Sequence, residues 1–404
     1  MLEDVRNILR GNVWIISWTT LVMNSFGFLV WPFFALYALG LGASPFLLGV
    51  ITGIRALAAC IYLPGGFIAD TYGRKRIIGM MTAVLGMSYL LMALAWSWRV
   101  LLLIVVIESL SYIYVPAYTA ILVDSLPTQK RGFGLTIFQH FSFAPMVLCP
   151  AIGGLVADHI GLMLAMRIGF ALTGLVCIVL GFVRSKSLIE TIEPTKAKFV
   201  EVFINSYRQQ FKFIRELGSE LKWTMMCFVL SIFGIGVATY FWIVFATREI
   251  GLSAGEWGIV FSAGGAIALM AALPIGRLID SWGREKMIIC SLPLLAFSAF
   301  AFVRSDTFVE VLVVMIVFSL GSTSILPAFT ALIGDLSPLR IRGKVMAIKE
   351  MAYWGGSAVA TTLGGYFYQN VSPKTPFYVM VIFVLISTMF LMTSLRRSVP
   401  KSSR

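Results

Sequence analysis

The chain has 404 residues, of which 59% are hydrophobic and only 13% charged, with a net charge of +13 and a mean hydropathy of +0.90. Soluble domains carry about 25% charged and about 45–50% apolar residues, so this composition excludes a two-domain soluble enzyme, a nucleic-acid binder and a disordered scaffold. What remains is a protein that crosses a membrane many times.

A membrane helix needs about 20 mostly apolar residues, and the sequence predicts twelve such spans. In chain order they cover 12–40, 45–69, 77–96, 100–124, 132–157, 162–183, 221–247, 255–279, 286–304, 308–335, 343–369 and 375–395. The first is long and ends without a small-residue cleavage pattern, so no signal peptide is expected. With the N-terminus inside, 26 of the 32 Lys and Arg residues fall in cytoplasmic segments. Arg99, Arg167, Arg248, Arg304 and Lys374 fall outside, and Arg55 lies within a span. This bias predicts a multi-pass protein of the cell membrane with both termini in the cytoplasm. Cys60, Cys149, Cys177, Cys227 and Cys290 lie in or beside apolar segments without a CxxC pair. Neither a disulfide framework nor a metal site is expected of them.

The second half of the chain repeats the first. Residues from 63 read Leu-Pro-Gly-Gly-Phe-Ile-Ala-Asp-Thr-Tyr-Gly-Arg-Lys-Arg, and those from 273 read Leu-Pro-Ile-Gly-Arg-Leu-Ile-Asp-Ser-Trp-Gly-Arg-Glu-Lys, an offset of 210. Pro116 through Asp124 to Gly132 recurs as Pro327 through Asp335 to Gly343, and Gly153-Gly154 as Gly364-Gly365, both at an offset of 211. The expected fold class is therefore an all-α membrane protein, with twelve transmembrane helices in two parallel-repeat six-helix bundles, residues 1–183 and 221–404. The cytoplasmic linker 184–220 carries seven basic residues, Arg184 and Lys186 among them. In it Phe199, Phe203, Tyr207, Phe211, Ile214 and Leu217 recur at helical spacing between Lys198, Arg208, Lys212 and Arg215. That pattern predicts an amphipathic helix, lying on the anionic inner leaflet or packed against cytoplasmic loops.

Gly66-x-x-x-Asp70-x-x-Gly73-Arg74-Lys75-Arg76, between the second and third spans, resembles the signature loop of the major facilitator superfamily. Gly276-x-x-x-Asp280-x-x-Gly283-Arg284 stands at the equivalent place in the second half, with Glu285 where the family has a basic residue. The resemblance covers the whole chain through span count, repeat and linker. Gly66 is expected to permit close helix contact, Gly73 a tight reversal, and Arg74, Lys75 and Arg76 to keep the loop cytoplasmic. The resemblance implies a gate latch, in which Asp70 holds the neighbouring half and Arg74 pairs with Asp124. Asp280, Arg284 and Asp335 repeat those parts. The bland alternative is that these charges serve topology alone. Cys149-Pro150-x-x-Gly153-Gly154 in the fifth span resembles the core of a drug:proton antiporter motif that kinks and packs the helix, although Cys149 replaces a glycine.

Ionisable residues deep in a span are costly and mark functional candidates. Arg55 lies 15 residues before Asp70, and Glu108 lies 16 before Asp124. Those spacings put them about 22 and 24 Å along their helices, where they form an ion pair if the spans are neighbours. Such a pair is structural or couples transport to protons. Antiporters often carry an arginine where Val105 stands here, which argues against coupling by that arrangement. His140 and Glu350 sit about 10–12 Å into their own helices, with Glu350 corresponding to Gln139 under the repeat. His140 is a proton relay or a hydrogen-bonded side chain, and Lys349 snorkels or pairs locally. In the superfamily fold, spans 1, 4, 7 and 10 face the cavity. The resemblance thus implies a lining of Asn24, Tyr112, Tyr240, Trp242, Ser322 and Thr323, with Gln139 and Trp354 from spans 5 and 11.

These residues predict a secondary transporter working by alternating access, and proton-coupled efflux of a small lipophilic or amphipathic compound. Uptake or facilitated diffusion of an organic anion, with Arg55 as counter-charge, is the alternative, as is a non-transporting membrane receptor on the same scaffold. No Walker loop, paired-acid or Ser/His constellation is present, so neither enzyme activity nor a cofactor is expected. The expected partners are the substrate, protons and the lipid bilayer, with no nucleic acid, and the chain is expected to be a monomer.

Overall fold

The structure, a computed structural model, describes residues 10–58, 62–193 and 217–398. Its helical segments, with short 3-10 or π turns included, are α1 (Gly11–Gly40), α2 (Pro45–Ala58), α3 (Tyr62–Tyr72), α4 (Arg74–Ala93), α5 (Trp98–Ser125), α6 (Thr128–Ile160) and α7 (Leu162–Ser187). The second half supplies α8 (Ser219–Ile250), α9 (Ala254–Trp282), α10 (Arg284–Phe302), α11 (Phe308–Leu336), α12 (Arg342–Asn370) and α13 (Thr375–Ser398). Ten of these are long and apolar enough to cross a membrane. The second predicted span is described as α2 and α3, on either side of 59–61. The eleventh, α12, is 29 residues long but opens with Arg342, Lys344, Lys349 and Glu350, which lower its hydropathy. Most of the predicted amphipathic linker helix, Phe199 to Arg215, lies outside the described residues.

Helix is the local solution because lipid offers no hydrogen bonds, so each N–H must be satisfied within its own segment. Polar side chains follow the same rule. Ser17, Thr52, Thr82, Ser109 and Thr388 return their hydroxyl protons to the carbonyl four residues back. Breaks fall beside prolines, with a 3-10 turn at Trp31–Phe33 around Pro32 and another at Ala144–Val147 around Pro145.

Two compact units emerge, and they cut across the sequence halves. One comprises 1–42, 58–209 and 253–262, and the other 43–57, 210–252 and 263–404. Thus most of α2 belongs with the second half of the chain and the first turns of α9 with the first, unlike the division at 184–220. In the first unit Ile16, Ile68, Ile78, Leu85, Ile121 and Phe138 share a buried core. In the second, Trp242 packs among Phe302, Phe318 and Phe377 with ring centroids 4.6–5.0 Å apart.

The repeated glycine pairs are contact points in both units. In the first, a Cβ on Gly153 would strike the Leu29 carbonyl of α1, and one on Gly154 the Ala254 carbonyl at the start of α9. Gly364 and Gly365 of α12 meet the Val237 carbonyl of α8 and, at 2.5 Å from an added Cβ, the Pro45 carbonyl of α2. Each pair therefore serves two helices at once, which only a residue without a side chain permits.

Candidate functional site

The loop between α3 and α4 turns at Gly73, whose φ of +96° is open to glycine and strained for other residues. That turn places Arg74 in the first turn of α4, facing back to Asp70 and across to α5. Arg74 Nε donates to Asp70 Oδ1 at 2.7 Å, and a terminal nitrogen donates to Asp124 Oδ2 at 2.5 Å and to Thr191 Oγ1 at 3.1 Å. The start of the linker joins in. The Lys75 amide donates to Glu190 Oε2 at 3.0 Å, and the Lys75 ammonium donates to the Lys186 carbonyl at 3.2 Å. Asn12 of α1 bonds Ser125 and both backbone groups of Ile189. Arg76 stays exposed.

The second copy has the same turn, with Gly283 also at φ +96°. Arg284 lies 3.9 Å from Asp280, and its Nε lies 3.1 Å from Asp335 in an ion contact that, among the described residues, is not aligned as a hydrogen bond. The close-contact glycine of the first loop is Gly65, not Gly66. A Cβ on Gly65 would stand 2.7 Å from the Ile113 carbonyl, whereas one on Gly66 meets only Pro116 Cβ at 3.6 Å. Gly276 has open space around it.

Of the buried ionisable candidates, Glu108 is fully buried on α5 and accepts the Tyr112 phenol proton at 2.9 Å. The α-helix holding Glu108 ends at Ser111 and another starts at Tyr114, so a straight-helix distance from Asp124 does not hold. Arg55 is half-buried near the end of α2, in the other unit. His140 is half-buried, and its Nδ1–H donates to the Thr136 carbonyl at 2.9 Å. This assigns the tautomer, since a carbonyl can only accept. Gln139 beside it is exposed. Glu350 is exposed and pairs with buried Lys349 at 2.7 Å, while Lys349 also donates to Thr330 Oγ1 at 2.9 Å.

The expected cavity residues divide. Asn24 bonds the Ser142 carbonyl at 2.7 Å, holding α1 to α6. Tyr112 is committed to Glu108. Trp242 is 5% exposed inside the aromatic cluster of the second unit, which makes it packing and corrects its reading as lining. Ser322 and Thr323 return their protons to the Ser319 carbonyl of their own helix. Tyr240 and Trp354 are half-buried, with Trp354 packed edge-on against Tyr353.

Two groups escaped sequence reasoning. Arg184, expected in the basic linker, is 1% exposed on α7. Its guanidinium donates to Thr19, Thr20 and Thr82 at 2.8–3.1 Å. Among the described residues no carboxylate lies within ion-pair distance of it. Only the Arg184/Thr19-Thr20/Thr82 coincidence across three helices could have signalled this, and no spacing in one helix reveals it. The other is Asp158, at the end of α6, which accepts from Ser253 Oγ at 2.7 Å and the Gly255 amide at 2.9 Å. A carboxylate there satisfies orphan donors at the start of α9 and complements its dipole.

The family model described as Major Facilitator Superfamily matches residues 16–245 and 224–404. "Multidrug resistance protein MdtG" of Escherichia coli strain K12 is 26% identical over 402 residues, covering 95% of this chain and 94% of that protein. Its namesake in Klebsiella pneumoniae strain 342 is 28% identical over 413 residues, covering 96% and 95%. Among solved structures, a bacterial homologue of the human lysosomal transporter Spinster, inward-facing and occupied, superposes with a TM-score of 0.74 at 14% identity, covering 95% of this chain and 96% of that one. A POT family transporter in complex with 5-aminolevulinic acid gives a TM-score of 0.75 at 12% identity, covering 96% of each chain. At those identities the structures establish the fold alone.

Proposed function

We propose that this chain, which belongs to the major facilitator superfamily, exports a small lipophilic or amphipathic compound in exchange for protons. The relatives named for multidrug resistance favour export over uptake of an organic anion or a receptor role. The observation that carries the proton half of the reading is Glu108, a carboxylate with no exposed surface in an apolar helix. An ionisable side chain inside an apolar span is costly to keep, which marks it as functional. Tyr112 holds one oxygen of Glu108 and would orient it as the helix break at 112–113 moves. The substrate half rests on an interior rich in aromatic rings and poor in charge.

In this reading the two sequence halves move as bundles, and the protein acts as a monomer in the cell membrane with both termini cytoplasmic. The Arg74 and Arg284 clusters, whose partners lie within their own halves, brace each bundle at one end, and the glycine crossings at Gly154 and Gly365 are latches between the halves. Alternation then shifts a two-state equilibrium, and each latch contributes only through its difference between the states.

The test is transport of a lipophilic dye by purified protein in liposomes carrying a pH gradient. Wild-type protein accumulates dye against its gradient. Glu108→Gln should abolish pH-driven accumulation and retain dye exchange at equal pH. Undiminished pH-driven accumulation in Glu108→Gln would remove Glu108 from the coupling step.

A further inference from the structure

The hairpin joining α10 and α11 carries an open groove of about 490 Å³ lined by Phe297, Phe300, Arg304, Val309, Glu310 and Val313, among others. Its walls are the bilayer-facing side chains of the two helices, with Phe297 62%, Val309 63% and Val313 54% exposed. Its mouth carries two opposite charges, each fixed by a partner other than the other. The Arg304 guanidinium lies 3.7 Å over the Phe300 ring and donates to the Phe300 carbonyl. The Glu310 carboxylate accepts the Asp306 amide at 2.8 Å through one oxygen, and its own amide donates to Thr307 Oγ1.

Depth completes the geometry. From Arg284 to Phe302, α10 has 19 residues, or about 28 Å of rise, close to the roughly 30 Å hydrocarbon thickness. Arg304 and Glu310 thus lie at headgroup level when Arg284 lies at the opposite surface. Below them the groove is apolar.

We propose that this groove is a binding site for one phosphatidylethanolamine molecule of the leaflet opposite Arg284. An acyl chain lies along Phe297, Phe300, Val309 and Val313. The phosphate meets Arg304 in a charge-assisted contact, and the primary ammonium donates to Glu310. The charge pattern selects this headgroup. Phosphatidylglycerol brings the phosphate but faces the Glu310 carboxylate with no cation, and the quaternary ammonium of phosphatidylcholine has no N–H to donate. Because Arg304 and Glu310 are already held, binding costs little side-chain entropy. The site stands independently of what the protein transports.

Native mass spectrometry of the full chain in detergent, with each of the three lipids added, tests the proposal. Wild-type protein should retain phosphatidylethanolamine about tenfold more tightly than the other two, the discrimination of roughly one charged contact. Arg304→Gln removes the phosphate contact that all three lipids share and should weaken the retention of each. Glu310→Gln should weaken phosphatidylethanolamine and strengthen phosphatidylglycerol, a reversal that mere loss of structure does not give. Should either variant fail to fold, Val313→Trp fills the groove from its lipid-exposed side and should lower retention of the lipid while both charges remain. Equal retention of the three lipids by wild-type protein, or undiminished retention of phosphatidylethanolamine in Val313→Trp, overturns the proposal. So does displacement of the bound lipid by the transported dye at its transport concentration, because the groove then belongs to the substrate.

Discussion

The two signature loops carry one repeated sequence and share a glycine at the same φ, yet they hold their arginines differently. Arg74 makes three side-chain hydrogen bonds with 12% of its side chain exposed, whereas Arg284 makes two longer ion contacts with 37% exposed. The added partner in the first copy is the chain that follows α7. Glu190 and Thr191 fold back onto Arg74 and Lys75, and among the described residues nothing equivalent reaches Arg284. The buried cations differ as well. The first unit encloses Arg184 among three threonine hydroxyls, and the second encloses Lys349 against the Glu350 carboxylate. A repeat therefore fixes which parts are present, and the neighbours of each copy decide how tightly they are held.

That comparison breaks most visibly where the copies are alike. Gly154→Leu and Gly365→Leu should both abolish transport, because each side chain would enter a neighbouring backbone, and overpacking of this kind costs at least about 1–3 kcal/mol. Dye export and surface expression measured together check this, and a large inequality between the two variants would show that the crossings are not equivalent.

The buried cations predict opposite signs. Glu350→Gln leaves Lys349 buried without its counter-charge and should lower stability by about 2 kcal/mol, below the usual 3–5 for a buried pair because Glu350 is half-exposed. Lys349→Met in the same chain should restore most of it, as a double-mutant cycle in thermal melting would show. Arg184→Met, by contrast, should leave stability unchanged or raise it by about 1 kcal/mol. Its threonine partners keep helix carbonyls as alternatives, and an apolar side chain of similar length avoids the desolvation. A melting temperature far below wild type for Arg184→Met would assign the arginine a structural role larger than its neutral partners imply.

The two loop arginines give a smaller asymmetry. Arg74→Ala should reduce transport more than Arg284→Ala, and its stability loss of about 1–2 kcal/mol should exceed that of Arg284→Ala, after allowance for the exposure of both aspartates. The smallest effect belongs to Glu190→Gln, about 0.5 kcal/mol, since the amide oxygen still accepts from Lys75. It should narrow the difference between the two arginine variants. If it does not, the linker clamp is not the source of the asymmetry.

Much of the molecule was legible in one dimension. Apolar runs of about 20 residues define membrane helices because lipid forbids any other backbone, and the repeat follows from matched letters at a constant offset. The residues that form the two Arg–Asp triads were legible too. Asp70 and Arg74 lie one turn apart, and Asp124 and Asp335 recur at fixed distances from them.

Which face of an apolar helix meets protein and which meets lipid was decided only by tertiary structure. Hydropathy does not report it, because lipid tails are as apolar as a packed neighbour. Hence the sequence favoured Gly66 where Gly65 is the glycine in close contact, and it offered Trp242 to a cavity although the ring belongs to an aromatic core. It also placed Arg184 in the linker, since a charge at the end of an apolar run reads as solvated. Three hydroxyls contributed by α1 and α4 reverse that, and their convergence on one guanidinium exists only once the helices have packed.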